Sequence, residues 1–450
     1  MLFRQFVDDD LGCASYLVGD AAAGEAVVVD PAFAIEPYLD AAAREGVRIV
    51  RVLETHTHAD HLSGHGRFAL EHGLPVSVHP LARPEYPFDP LRDGQELRVG
   101  DVAIRVVHTP GHRPEHCAFV VGGELVLTGD SLFVGDAARP DLAIEARAGA
   151  ADLHRSVRRL AELPDEVVVY PGHVSGSLCG TNMSEERSTS IGREKRTNFA
   201  LRAALHDFVE ESASPRTPKP PTTERVVGLN RGPWVGALPP LAELAEPGDA
   251  LVLDVRPVER FAAGHLPGAV SVALDGGSFA TRAAFVLDPA EPVVLHAASA
   301  GDAAEARRLL AAVGLFEQRG YVLAGDGPER SETVTVPELA RLRERDVAQV
   351  LDVREETERE ETPLPGAAWA PYRTLRVAPP GALDPGRPVY TICASGARAS
   401  LAASLLARQG LDARPVLGGG VAELLSEGAR PGSRAPRAPR SGAGSAARSS

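Results

Sequence analysis

The chain contains few cysteines and few aromatic residues. Only four of its 450 residues are cysteine, and aromatic side chains make up 5% of the chain. The cysteines, at positions 13, 117, 179 and 393, are far apart. Cysteines so far apart lack the paired spacings that a disulfide scaffold or a cysteine-only zinc site would show. We therefore expect free thiols.

Long apolar segments and an excess of positive charge are also missing. No run approaches the roughly 18 apolar residues that cross a bilayer, and the acidic start lacks a signal-peptide core. Lys and Arg number 47 against 61 Asp and Glu, a net charge of -14. Because phosphate contacts need a surplus of cations, we expect neither a nucleic acid nor a membrane as partner. A cytoplasmic protein acting on small molecules is predicted.

A dense group of metal-binding residue types follows the strand-like run 47–53. The segment Thr55–His61 contains His56, His58, Asp60 and His61. Alternate residues of an extended chain point to opposite sides, so His56 and His58 converge only if the chain bends there. A single histidine is usually an ordinary loop residue, but imidazoles and carboxylates grouped this closely are typical ligands of zinc and iron. The segment predicts a metal site on a loop.

Three further strand-like runs each end in a short turn that contains glycine and a His or Asp. These turns carry His112, Asp130 and His173. The ends of such strands meet along one edge of a sheet sandwich, where loops on a rigid scaffold commonly carry chemistry. We expect all three residues to join the histidine-rich loop.

An internal repeat organises the rest of the chain. The Leu-Asp-Val-Arg motif at 253–256 recurs at 351–354, and Leu-Pro-Gly-Ala at 266–269 recurs at 364–367, both displaced by 98 positions. Strand and helix patterns alternate in both copies, which predicts two parallel α/β domains. The predicted divisions are a metal-binding domain, 1–231, a first repeat, 233–328, a second repeat, 333–428, and a disordered basic tail, 429–450.

Only the second repeat has a nucleophile loop. Cys393 follows a strand and precedes a helix through small residues. Their backbone N–H groups, the start of the helix and Arg398 favour a sulfur anion at this cysteine. In the first repeat the equivalent positions of Cys393, Gly396 and Arg398 are occupied by Ala297, Ala300 and Asp302. We expect the first repeat to be structural.

These motifs resemble two known families. The histidine-rich loop with the turns at His112, Asp130 and His173 resembles the metallo-β-lactamase fold, whereas the repeats resemble rhodanese domains. Together they resemble persulfide dioxygenase–rhodanese fusions, as do the stretches 129–141 and 176–180. The resemblance implies an α/β chain with a metallo-β-lactamase αββα sandwich, a degenerate rhodanese domain and an active one.

The resemblance also implies an activity and a set of site residues. The activity is oxidation of low-molecular-weight thiol persulfides by O₂ to sulfite and thiol, coupled to rhodanese sulfur transfer with thiosulfate during sulfide detoxification. A homo-oligomer is expected. One Fe(II) per chain would be held by His56, His112 and Asp130. Cys393 and Arg398 would be catalytic.

The remaining ligand-type residues leave an alternative open. His58, Asp60, His61 and His173 would orient the iron ligands or hold a second metal. With two zinc ions the same residues would suit a thioester hydrolase of the glyoxalase II type with an appended sulfurtransferase. Cys179 is a candidate sulfur relay. We expect Cys13 and Cys117 only to pack in the core.

Overall fold

The computed structural model describes residues 1–143, 145–174, 184, 186–213, 218–323, 325–345, 347–377 and 380–428. The candidate relay Cys179 and the predicted disordered tail, 429–450, lie outside the described residues. The chain divides into two compact units, Met1–Arg330 and Ser331–Ser450. The first unit therefore contains both the predicted metal-binding segment and the predicted first repeat.

Two six-stranded sheets form the N-terminal part of the first unit. The strands of the first sheet, in spatial order, are β1 (Leu2–Val7), β2 (Ala14–Asp20), β3 (Glu25–Val29), β4 (Arg48–Leu53), β5 (Val76–Val78) and β6 (Asp89–Pro90). The strands of the second sheet, in chain order, are β7 (Glu96–Val99), β8 (Val102–His108), β9 (Cys117–Val121), β10 (Leu125–Gly129), β11 (Val168–Pro171) and β12 (Thr189–Ser190).

Helices cover the outer faces of both sheets. They are α1 (Glu36–Glu45), α2 (His65–His72), α3 (Ala146–Leu160), α4 (Ile191–Thr197), α5 (Phe199–Arg202), α6 (Leu205–Ser212) and α7 (Thr223–Arg231), with a short 3₁₀ helix at Pro80–Ala82. Buried side chains alternate along β8, where Ile104 and Val106 point inward and Arg105 is exposed. Period-two alternation of this kind is typical of a strand with one face in a core.

Three apolar layers hold the N-terminal part together. Tyr16 and Leu53 of the first sheet pack against Phe119 of the second sheet in a central core. Phe68 of α2 belongs to an outer core on the first sheet, and Leu153 of α3 to one on the second. The predicted αββα sandwich is confirmed.

The first repeat adds a four-stranded parallel sheet to the same compact unit. Its strands are β13 (Leu251–Asp254), β14 (Val270–Ser271), β15 (Val293–His296) and β16 (Gln318–Val322), in the spatial order β14-β13-β15-β16. Its helices are α8 (Val258–Ala263), α9 (Phe279–Val286) and α10 (Ala300–Ala312).

The second repeat has the same strand order with one strand added. Its strands are β17 (Val334–Thr335), β18 (Gln349–Asp352), β19 (Ala368–Trp369), β20 (Val389–Ile392) and β21 (Ala413–Leu417), in the spatial order β17-β21-β20-β18-β19. Its helices are α11 (Val336–Glu344), α12 (Glu356–Glu361), α13 (Ala397–Arg408) and α14 (Val421–Gly428), with a 3₁₀ helix at Tyr372–Thr374. The duplicated parallel α/β architecture is confirmed. Among the described residues, no helix combines the length and apolar character needed to span a membrane.

Candidate metal centre and thiol loop

Three side chains converge at the edge of the sandwich where β4, β8 and β10 end. The Nε2 atoms of His56 and His112 lie 4.0 and 3.5 Å from Oδ2 of Asp130. All three residues are buried, and none of these three atoms has a hydrogen-bond partner among the described residues. Buried polar atoms are almost always paired. Their arrangement therefore fits a bound metal ion, which would satisfy all three atoms at once.

In both His56 and His112, the other ring nitrogen, Nδ1, is held by a neighbouring polar group of the protein. Nδ1 of His112 donates to the backbone carbonyl of Arg139 at 2.9 Å. Because a carbonyl only accepts, the proton lies on Nδ1 and the lone pair of Nε2 faces Asp130. Nδ1 of His56 lies 2.9 Å from the Thr55 hydroxyl, which donates to Asp30. Burial lowers the pKa of both histidines, which favours the neutral form that binds metals.

Two glycines give the carboxylate its space. A Cβ at Gly172 would lie 2.5 Å from Oδ1 of Asp130, and one at Gly129 would lie 2.7 Å from the Thr55 hydroxyl. Gly129 also has a φ of +48°, in the left-handed region that L side chains rarely adopt. A side chain at either position would displace Asp130 or Thr55, so the Thr-Gly-Asp and Pro-Gly-His turns need glycine.

A second group of ligand-type side chains adjoins the first. His173 bridges the two groups, since its Nδ1 lies 2.7 Å from Oδ1 of Asp130 and its Nε2 lies 2.7 Å from Oδ2 of Asp60. Nδ1 of His61 lies 3.3 Å from Oδ1 of Asp60. Burial opposes ionisation of Asp60, but His173 and His61 hold the pKa of that carboxyl well below its usual range. The four residues form a continuous hydrogen-bonded chain.

Cys13 belongs to this second group, which the sequence did not predict. Its Sγ lies 3.3 Å from Asp60 Oδ2, from His61 Nδ1 and from His173 Nε2. Burial raises the pKa of this thiol well above its ordinary value. The expectation that Cys13 only packs was wrong, because an isolated cysteine in a strand-like stretch carries no local sign of contacts with residues far along the chain.

His58 lies on the other side of the first group. Its Nε2 lies 3.1 Å from Glu54 and 3.3 Å from Asp30. Its ring centroid is 4.3 Å from that of His56, and its Nδ1 has no partner among the described residues. His58 Nδ1 is therefore a further buried atom without a hydrogen-bond partner among the described residues, on a ring that adjoins His56.

Asn230 of α7 fixes the backbone of the histidine-rich loop. Its side-chain amide donates to the carbonyls of His58 and His61 at 3.0 and 2.8 Å and accepts from Ser63 N–H at 2.9 Å. A lone asparagine some 170 positions downstream has no sequence feature that connects it to the loop. Only the packing of α7 places it there.

The two repeats contain the same buried ion pair. The guanidinium of Arg256 donates to the Asp254 carboxylate at 2.6 and 2.9 Å, and Arg354 donates to Asp352 at 2.7 and 3.0 Å. Both arginines also donate to a carbonyl in the following segment, at Gly264 or Thr362. The repeated Asp-Val-Arg motif is therefore a structural clamp at the end of β13 and of β18.

Cys393 lies directly between β20 and α13, as the sequence predicts. The backbone N–H of Gly396 donates to its Sγ at 3.1 Å, and the residue is buried. Arg398 does not lie free beside the sulfur, because its guanidinium donates to both carboxylate oxygens of Glu358, at 2.5 and 2.7 Å. The pairing holds Arg398 in one orientation at the start of α13.

The first repeat has no nucleophile at the equivalent place. Ala297 follows β15 directly and is buried, and α10 begins at Ala300. Nδ1 of His296, the last residue of β15, lies 3.1 Å from Asp254 Oδ2. The side chains at this loop contain no thiol, and the cation of the second repeat is replaced by the acidic Asp302.

Comparisons with known proteins identify one metallo-beta-lactamase region and two rhodanese-like regions. Residues 8–173 match the metallo-beta-lactamase superfamily, and residues 239–327 and 335–427 each match the rhodanese-like domain. The mitochondrial persulfide dioxygenase of Homo sapiens is 28% identical over 234 residues, which cover 51% of this chain and 87% of the relative. A hydroxyacylglutathione hydrolase of Parasynechococcus marenigrum is 30% identical over 214 residues, 40% of this chain and 84% of the relative.

A solved structure extends the similarity past the metal-binding part. The crystal structure of a metallo-beta-lactamase from Staphylococcus aureus is 27% identical, with a TM-score of 0.67, and covers 71% of this chain and 99% of that chain. Because so much of the chain is covered, the similarity reaches beyond residues 8–173 and includes part of the repeats.

Proposed function

The chain belongs to the metallo-beta-lactamase superfamily and continues into two rhodanese-like domains, and from this we propose that it oxidises low-molecular-weight thiol persulfides and transfers sulfane sulfur. In the oxidation, persulfide, O₂ and water give thiol, hydrogensulfite and one proton. The sulfur–sulfur bond breaks, and four electrons pass from sulfur to O₂. The released thiol keeps the inner sulfur.

The observation that carries this proposal is the convergence of three atoms, from His56, His112 and Asp130, that have no hydrogen-bond partner among the described residues. Two histidines and one carboxylate are the ligand set of mononuclear non-haem Fe(II) oxygenases. When bound there, Fe(II) would supply open positions for a sulfur anion and O₂. The persulfide dioxygenase relative supports the same chemistry.

The neighbouring residues have the positions of supporting groups in this proposal. His173 holds one oxygen of Asp130, which leaves the other oxygen facing the two imidazoles. The Arg139 carbonyl and Thr55 fix the ring orientations of His112 and His56. Loss of such contacts typically lowers metal affinity or activity about 10–100-fold.

The second rhodanese-like domain would carry the sulfur-transfer step. A persulfide on Cys393 gives its outer sulfur to sulfite, which forms thiosulfate and restores the Cys393 thiolate; the reverse reaction loads the cysteine. The N–H of Gly396 and the start of α13 stabilise the sulfur anion. Glu358 holds the Arg398 guanidinium at the start of α13 and offsets its charge, so Arg398 would act in catalysis by orienting the loop and the incoming sulfur donor rather than as a free cation.

Zinc-dependent thioester hydrolysis is the second candidate. It is supported by the Cys13, Asp60, His61 and His173 group, which has the residue types of a second metal site, and by the hydrolase relative. Against it, Asp60 and His173 already satisfy each other through a 2.7 Å hydrogen bond. The three converging atoms of the first group have no such partner among the described residues.

The decisive experiment combines metal analysis with oxygen consumption. The full chain, purified without O₂, should contain about one iron and consume O₂ when glutathione persulfide is added. His112→Ala should lose both iron and O₂ consumption, while His72→Ala, an equivalent change at an exposed position of α2, should keep them. Stoichiometric zinc with no persulfide-dependent O₂ consumption, together with hydrolysis of lactoylglutathione, would establish the hydrolase instead.

A further inference from the structure

A cavity of about 540 Å³ lies between the metallo-β-lactamase domain and the first rhodanese-like domain. Cys13 and His61, from the second group of ligand-type residues, line it on one side. Glu305, Arg308 and Leu309 of α10 line it on the other. The degenerate domain therefore supplies one wall of a cavity that borders the second group of ligand-type residues, which His173 connects to Asp130.

Direct contacts hold this wall in place. The carboxylate of Asp10 accepts from the backbone N–H groups of Phe279 and Ala280, at 2.6 and 2.8 Å, and so caps the start of α9. Arg308 donates to Asp8 at 3.1 Å. Near the metal loop, the N–H of Leu62 donates to the Ala312 carbonyl at 2.6 Å. The first rhodanese-like domain is thus attached to the metal-binding domain on both sides of the cavity.

The cavity is strongly acidic. Five carboxylates line it against the single guanidinium of Arg308, and they belong to Asp8, Asp9, Asp10, Asp30 and Glu305. Arg308 is already shared between Asp8 and Glu305, to which it donates at 3.1, 2.7 and 2.9 Å. Asp8 and Glu305 therefore share one positive charge. Five carboxylates against one guanidinium leave a formal excess of four negative charges in the lining, and Asp9 is exposed to the cavity's solvent side.

We propose that this cavity binds the carrier-thiol part of the persulfide and selects a tail that bears an ammonium group and no phosphate. The inference rests on the proposed function and adds the class of its substrate. A narrow cleft of one sign concentrates ligands of the opposite sign and repels those of the same sign. The terminal sulfur of such a ligand would point toward Cys13 and His61, and its ammonium group toward Asp9 and Glu305.

As one wall of the substrate cavity, the degenerate domain would have a role that does not need a nucleophilic cysteine. Its α10 follows the loop where Ala297 replaces the cysteine, and this helix carries Glu305 and Arg308.

Three persulfides that differ in the charge of the tail test the assignment: 2-aminoethyl persulfide, its neutral 2-hydroxyethyl analogue and coenzyme A persulfide. We expect kcat/KM for O₂ consumption to fall in that order. In the double variant Asp9→Lys, Glu305→Gln, the ratio of kcat/KM for the aminoethyl persulfide to that for the hydroxyethyl persulfide should fall about fivefold. This is the size of effect expected when weak surface charge pairs are lost. The change should lie mainly in KM. Glu162→Lys, at an exposed acid outside the cavity, should keep the wild-type ratio. A preference for coenzyme A persulfide, or a ratio unchanged in the double variant, would overturn the assignment.

Calorimetry with thioethers separates this inference from the proposed activity. The full chain should bind 2-(methylthio)ethylamine more tightly than 2-(methylthio)ethanol, and the double variant should lose the difference. If these results appear but no persulfide causes O₂ consumption, the cavity assignment stands and the dioxygenase proposal fails. If O₂ is consumed but neither binding nor kinetics depends on tail charge, the cavity assignment alone fails.

Discussion

At the scale of single residues, the two chemical sites of this chain differ in whether their polar groups have partners within the protein. At the metal centre, Asp130 Oδ2 and two imidazole nitrogens are buried and have no hydrogen-bond partner in the part of the chain that the structure describes. Each such atom costs about 1–3 kcal/mol unless a partner is supplied. At the thiol loop the opposite holds, since Cys393 accepts a hydrogen bond from Gly396 and Arg398 is paired with Glu358. The first site fits a bound ion, whereas the groups of the second are paired within the protein.

Replacing the nucleophile should separate the two activities. In Cys393→Ser, sulfur transfer from thiosulfate to a thiol should fall to background, because a hydroxyl cannot carry sulfane sulfur. Persulfide-dependent O₂ consumption should persist, because the metal ligands belong to a different domain. Both rates are measured on the same preparation.

The degenerate repeat offers a matched control. Adding Ala297→Cys to the Cys393→Ser chain should restore no sulfur transfer, because Ala300 and Asp302 replace the loop glycine and the cation. If Cys393→Ser also abolished O₂ consumption while iron and fold were retained, the division of labour between the domains would be wrong.

At the scale of secondary-structure elements, the ends of the strands position the ligands. One helix, α7, fixes the loop that carries most of them. The Thr-Gly-Asp turn after β10 and the Pro-Gly-His turn at the end of β11 place Asp130 and His173 within hydrogen-bond distance. These turns are visible in the sequence because each ligand follows its strand directly. The support from Asn230 in α7 is not visible, because it depends on tertiary packing over about 170 positions.

Removing the Asn230 side chain should weaken metal binding without removing a ligand. In Asn230→Ala the carbonyls of His58 and His61 lose their donor, so the loop is held less firmly. We expect iron affinity to fall about 10–100-fold, as for other contacts that support metal ligands. Competition with a chelator measures this affinity. Glu224→Ala, at an exposed position of the same helix, is the control, and equal affinities in both variants would contradict the proposed support.

At the scale of the whole molecule, the first compact unit, Met1–Arg330, contains both the metallo-β-lactamase domain and a rhodanese-like domain. Its contacts include the Asp10 cap on α9 and the Asp8–Arg308 ion pair. The second repeat, with Cys393, belongs to the other compact unit. Of two homologous domains in one chain, the first therefore packs with the metal-binding domain and the second forms a compact unit of its own.

Metal binding should raise the stability of the chain measurably. An ion that binds only the folded state, at about 100 times its Kd, adds about 2.7 kcal/mol. Scanning calorimetry should therefore show a lower unfolding temperature after chelation and recovery after Fe(II) is returned. His112→Ala should show neither change, since it lacks one of the three converging ligands. An unfolding temperature insensitive to chelation in the intact chain would argue against a metal in this buried site.

The sequence by itself determined the fold class, the repeat and the residue types of both sites, because these depend on local patterns and on motifs adjacent to strand ends. It also showed that the first repeat lacks a nucleophile. Only the tertiary structure decided that Cys13 joins the second ligand group, that Arg398 is paired with Glu358, and that a cavity with an excess of acidic residues lies beside Cys13 and His61. Each of these depends on side chains brought together from distant parts of the chain, and the distances between them follow from packing, which no local spacing encodes.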